Sequence, residues 1–277
     1  MPQPEAKLAR LGDLCAGDGQ RLDLLEAALT LSVLRRAEPV DLAPFRQHVA
    51  AMASDLADLV RRRGASAEAL AEVIARAYGY RGDTESYDDL QNADLVRVIE
   101  RRKGLPVALS ILYLDVARRQ GWEAEGLAFP AHFLIRIGID GARHVVDPFH
   151  DGMVRDAADL RGLLRQVLGP EAELSPQHFD PVSDRDVLLR LENNVRLRLA
   201  NREEWATAAQ SLDRMLAIAP DRPELLLEAG QLNARLDKRR AAIAAFERFL
   251  AIDGPAGDPA MRQRVSSLLQ ELRRGLN

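Results

Sequence analysis

Apolar positions through the first hundred residues recur at helical spacing. In residues 19–38, "GQRLDLLEAALTLSVLRRAE", Leu22, Leu25, Leu29 and Leu34 fall near one face, and Pro39 follows the run; this predicts a helix that stops before the proline. Residues 42–64, "LAPFRQHVAAMASDLADLVRRRG", repeat the pattern, with Pro44 at the start and Gly64 placed to end the helix. "SAEALAEVIARAYGYRG" opens at Ser66 with Glu68 behind it and closes at Gly79, and "NADLVRVIERRKG" predicts a shorter helix with Asn92 as its N-cap and Gly104 as its end. "ERRKGLPVALSILYLDVARRQG", residues 100–121, predicts a long apolar helix starting behind Gly-x-Pro and ending at Gly121.

The texture changes after Gly121. "EAEGLAFPAHFLIRIG" and "ARHVVDPFHDG" set short apolar and β-branched runs between Gly, Pro and Asp, predicting antiparallel strands joined at an Asp140-Gly141 turn. "MVRDAADLRGLLRQVLG" returns to a helical pattern, and "PEAELSPQHFDPVSDRD" has the composition of a connector. Beyond it the pattern repeats: "MLAIAP" at 215–220 lies 34 residues before "FLAIDG" at 249–254, and the same offset lays Ala208 on Ala242, Leu212 on Phe246 and Leu216 on Leu250. A 34-residue helix-turn-helix period is that of the tetratricopeptide repeat. Gly230, Ala242 and Phe246 meet that repeat's small and bulky positions, whereas the first copy departs with Arg196 at the small one. "PAMRQRVSSLLQELRRG" follows as a capping helix.

Composition narrows the class. The chain has 277 residues, 47% hydrophobic and 29% charged, enough for a core. Its 38 basic and 42 acidic residues give a net charge of −4, which argues against a broad nucleic-acid face. The basic runs at 61–63 and 101–103 sit at helix ends without interleaved aromatics, which gives nucleic-acid binding little support. No apolar run reaches membrane-spanning length and no signal-peptide core stands at the N-terminus, so a soluble cytoplasmic protein is expected. Cys15, in a loop-like "GDLCAGDG", is the single cysteine and fits a reducing compartment.

"GLPVALS", "PAHFLIR" and "VVDPF" together resemble the SirB-type bacterial family, whose members join a transglutaminase-like domain to C-terminal tetratricopeptide repeats; the match is close over roughly residues 90–152. The resemblance implies an α+β fold: a helical N-terminal part packed on a small antiparallel sheet with a papain-like core, then an all-α repeat segment. The expected domains are 1–175 (transglutaminase-like), 176–186 (linker) and 187–277 (repeats with a capping helix). It also marks Asn92, Glu100 and Gly104 as family-motif positions, taken as binding candidates without an assigned role.

Transglutaminase-like enzymes set a Cys at a helix start, a His on a following strand and an Asp on the next. The helix N-terminus favours the thiolate, the imidazole shares its proton, and the carboxylate orients the imidazole. On this sequence the resemblance puts Pro106 at the Cys position, with His132 and Asp147 at the other two. Proline is ordinary at a first helical turn and has no nucleophilic atom. Ser110, one turn further, is the speculative replacement; its bland reading is a hydroxyl bonded back to a carbonyl. His132 and Asp147 serve equally as a structural pair or as a base and its orienter.

"HVVDPFH" spaces His144, Asp147 and His150 by three, but strand followed by turn would point them to opposite faces, so no metal and no other cofactor is expected. The expected function is a non-catalytic scaffold, a pseudoenzyme, whose repeat helices engage an unidentified protein or peptide. The alternatives are a hydrolase or acyl-transferase using Ser110 or an activated water with His132 and Asp147, and behind it a metal-dependent hydrolase.

Overall fold

Local chemistry sets most element boundaries in the computed structural model, which describes residues 4–17, 21–130, 132–252 and 258–274. The chain divides into two compact units: residues 17–191, and residues 1–16 together with 192–277. The N-terminal helix therefore groups with the repeat helices. The division falls inside a later helix and not at 176–186, where the connector was expected.

In the first unit, α2 (Leu24–Leu34) is capped by the Asp23 carboxylate and α3 (Ala43–Arg63) ends at Gly64 with φ 87°. α4 (Ala67–Ala71) is capped by Ser66, and it runs directly into a π-helical turn over Glu72–Ala77, which periodicity alone does not reveal. β1 (Arg81–Gly82) pairs in parallel with β2 (Lys103–Gly104), and α5 (Leu95–Arg101) lies between them in sequence. Asp94 caps α5; Asn92, the residue expected in that role, sits in a preceding 3₁₀ turn over Leu90–Ala93. α6 (Pro106–Arg119) is the central helix, with Pro106 at its start and buried residues on nearly every side. Its fully buried leucines and isoleucine each contribute roughly 1.5–3 kcal/mol.

A five-stranded antiparallel sheet completes this unit in the order β6-β5-β4-β3-β7. Its strands are β3 (Glu123–Leu127), β4 (Ile135–Ile139), β5 (Ala142–Asp147), β6 (Met153–Val154) and β7 (Pro181–Val182). Asp140 and Gly141 both have positive φ, 49° and 82°, and join β4 to β5 by the predicted tight turn. Met153 and Val154 form β6 and do not begin the following helix; α7 (Ala157–Leu168) starts later, at an Asp156–Asp159 capping box. The connector is likewise structured, since β7 pairs with β3 through Gly126 and Leu127.

The second unit contains α1 (Pro4–Cys15), so Cys15 ends a helix and is buried there, against the loop expected around it. After α8 (Asp184–Asn201) come α9 (Trp205–Ile218), α10 (Pro223–Arg235), α11 (Arg239–Ile252) and α12 (Pro259–Arg274). A Cβ added to Gly230 would stand 2.3 Å from the Phe246 ring, so the small and bulky repeat positions do meet. Arg196, at the small position of the first copy, turns instead to Glu228 and Asn193. Among the described residues no helix is long and apolar enough to cross a membrane.

Candidate functional site

The β4–β5 register aligns Ile135 with Val146, which brings the segment before β4 beside the end of β5. His132 Nε2 then lies 2.8 Å from Asp147 Oδ1. The chain leaves β5 through a 3₁₀ turn, Pro148–His150, whose N-cap is Asp147 itself. That turn folds His150 back, so its Nδ1 stands 2.8 Å from Asp147 Oδ2. Asp151 and Gly152, with φ 55° and 71°, reverse the chain into β6. Arg155, just beyond β6, donates from Nε and Nη2 to the same Oδ2 at 3.1 and 2.9 Å.

Asp147 is fully buried and thus shared by two imidazoles and a guanidinium. Burial alone would push its carboxyl up, but the hydrogen bonds from His132, Arg155 and His150 hold it well below the usual carboxylate range. The backbone N–H groups of Phe149 and His150 add bonds to Oδ1 at 3.2 and 3.3 Å. His132, Asp147 and His150 also present ligand-type atoms within 4.8 Å of one another. The nitrogen–oxygen separations are hydrogen-bond lengths, and with Arg155 as a third partner the four side chains form a hydrogen-bonded clamp around Asp147.

At the start of α6 the chemistry is spent locally. Pro106 is buried, and Ser110, fully buried, donates from Oγ to the Pro106 carbonyl at 2.8 Å. Tyr113 is on the same helical face one turn further, and its buried hydroxyl has no hydrogen-bond partner among the described residues. Burial pushes that phenol well above its ordinary range, with Asp151 and Asp147 adding to the effect. Its oxygen backs onto Gly152, where an added Cβ would stand 2.7 Å from it.

Two of the three family-motif positions hold the fold in place. Asn92 donates to the Ser86 carbonyl at 2.6 Å and accepts from Arg101 at 2.9 Å, and Gly104 has no room for a Cβ beside Val98. Glu100 is exposed and pairs with Arg97 one turn away. Arg101 also reaches the buried Asp83 at 2.7 Å. Burial would raise Asp83, but hydrogen bonds from Ser86 and Arg101 hold it well below the usual range.

His150 is the member of the clamp that reaches open space. It lines a cleft of about 1000 Å³ together with Phe149, Asp151 and residues of the π-helical turn and β1. Strand followed by turn is expected to point Asp147 and His150 to opposite faces; the 3₁₀ turn that begins directly after Asp147 instead folds His150 back onto it. Arg155 had a legible signal in the Asp151-Gly152 turn, which pairs β5 with β6 and brings Arg155 N to within 2.8 Å of the Val145 carbonyl. Tyr113 had none, because an apolar helix gives no clue to which hydroxyl lacks a partner.

Comparison with known proteins agrees with the fold. The profile of the transglutaminase-like superfamily matches residues 43–193, and that of the tetratricopeptide repeat matches residues 195–270. A UPF0162 protein of Vibrio cholerae is 30% identical over 268 residues, covering 92% of this chain and 96% of its own. A UPF0162 protein of Xylella fastidiosa is 37% identical over 177 residues, so this chain spans 63% of that relative's length. Protein SirB1 of Salmonella typhimurium is 25% identical over 187 residues, covering 66% of this chain and 69% of its own. With tetratricopeptide repeats following a transglutaminase-like segment in the sequence, the chain belongs to the SirB-type, UPF0162 family of the transglutaminase-like superfamily.

Proposed function

We propose that the protein is a non-catalytic member of this superfamily, a cytoplasmic protein-interaction or regulatory accessory factor that engages a protein or peptide through its repeat helices. One observation carries the reading: the helix start that holds a nucleophile in related enzymes is a buried proline, and the nearest hydroxyl, Ser110, is bonded to that proline's carbonyl. The carboxylate that would orient a general base is shared among His132, His150 and Arg155, which suits a structural clamp. Tetratricopeptide repeats commonly present extended binding surfaces. Here Arg235 lies 4.1 Å over the Trp205 ring, beside a cleft of about 230 Å³.

Wild type and His132→Ala should be compared for ester and amide hydrolysis and for amine incorporation into casein. Equal background rates are expected, and turnover that depends on His132 overturns the reading in favour of a hydrolase using an activated water. For the interaction half, affinity capture should compare wild type with a Trp205→Ala, Arg235→Glu variant. A partner retained by the first and lost by the second supports it, and identical capture profiles count against it.

A further inference from the structure

The cleft beside His150 carries unpaired charge of both signs around apolar groups. Arg76, at the end of the π-helical turn, and Arg81, in β1, bring guanidiniums to it; Glu68, in α4, and Asp151, in the αL position, bring carboxylates. All four residues are exposed, and none of their side chains makes a hydrogen bond or ion pair among the described residues. The buried carboxylates of this unit, by contrast, are matched, as in the Arg101–Asp83, Arg118–Asp184 and Arg155–Asp147 pairs.

The apolar part of the cleft is firmly supported. The Phe149 ring lies against Gly82, where an added Cβ would come within 2.6 Å of it. Met153 is 52% exposed in the same cleft. Ala71 and Ala75 keep the helical side short, so the volume of about 1000 Å³ stays open. That is the upper end of the range for small-ligand sites, roughly 300–1000 Å³. His150, fixed to Asp147 through Nδ1, keeps its other ring nitrogen for a guest.

We infer that this cleft binds a small zwitterion of the amino-acid or dipeptide class, with its carboxylate on Arg76 and Arg81, its ammonium on Glu68 and Asp151, and its apolar side chain on Phe149 and Met153. A simple anion would meet two carboxylates, and a simple cation would meet two guanidiniums. Only a ligand carrying both charges satisfies the lining. The planar fork of arginine matches a carboxylate in geometry as well as in charge. This inference stands independently of the non-catalytic reading, because it concerns binding alone.

Calorimetric titration of the full chain with three probes tests it: the dipeptide Ala-Phe, its N-acetylated form and its C-terminal amide. The dipeptide is expected to bind roughly threefold or more tightly than either capped form, the scale of an exposed ion pair. Arg76→Ala with Arg81→Ala should abolish its advantage over the amide. Glu68→Gln with Asp151→Asn should abolish its advantage over the acetylated form, and asparagine tolerates the positive φ at 151. Equal affinities for the three probes, no binding by any of them, or an advantage that survives both double variants overturns the inference. Thermal melts of each variant confirm that the exposed substitutions leave the fold intact.

Discussion

Ser110 Oγ donates to the carbonyl of Pro106 at 2.8 Å inside the core. That hydroxyl is thereby committed to the backbone of the residue that the family resemblance sets at the nucleophile position. Ser110→Ala should lower unfolding stability by about 1 kcal/mol, the net worth of one such bond, as read by urea denaturation. It should leave hydrolytic background unchanged, and a drop in turnover would give the serine a chemical role.

Asp147 ties three segments together, because His132, His150 and Arg155 reach it from before β4, after β5 and after β6. Asp147→Asn should cost about 3–5 kcal/mol, as expected when one partner of a buried ion pair is removed. A loss below 1 kcal/mol in chemical denaturation would mean that the clamp contributes little.

The same carboxylate shapes the response to acid. Its native pKa is depressed, so the unfolded chain holds more protons once the pH falls below about 4. The stability it contributes is complete above that pH and is lost as the pH drops through the native value. Asp83, depressed by Ser86 and Arg101, adds to the trend. Wild type should therefore show a steep acid limb in stability against pH, and Asp147→Asn a shallower one; parallel curves would remove Asp147 from the account.

Tyr113 has a buried hydroxyl without a partner among the described residues. Tyr113→Phe removes an unsatisfied polar atom and keeps the ring, so the melting temperature should hold or rise, with a gain of up to about 1 kcal/mol. A clear loss of stability would show that the hydroxyl is satisfied in solution, for instance by an ordered water.

Gly230 packs against Phe246 in the repeat unit, with only 2.3 Å to an added Cβ. Gly230→Ala should destabilise this unit by about 1–3 kcal/mol through overpacking. The combined Gly230→Ala, Phe246→Leu variant should recover part of that loss, and additive losses in denaturation would sink the steric explanation.

Much of the fold was legible because its determinants are local. Ser66, Gly64, Pro106 and the Asp140-Gly141 turn set element ends through their own backbone chemistry, and the 34-residue offset set the repeat through spacing alone. Where sequence reading failed, a neighbouring residue could do the same task. Asp94 caps α5 in place of Asn92, and Met153 and Val154 join β6 because β5 offers them a ladder.

The sequence by itself determined which side chains are present, and the family resemblance it carries sets Pro106 at the nucleophile position with His132 and Asp147 at the other two, since residue identity needs no coordinates. The tertiary structure alone decided what those residues touch. It turned the pair into a four-membered clamp with His150 and Arg155, and it bonded Ser110 to Pro106. It also opened the charged cleft at His150. The physical reason is range: helix periods and turns are written in adjacent residues, whereas the sharing of one buried carboxylate depends on strand register and on a turn that reverses the expected alternation.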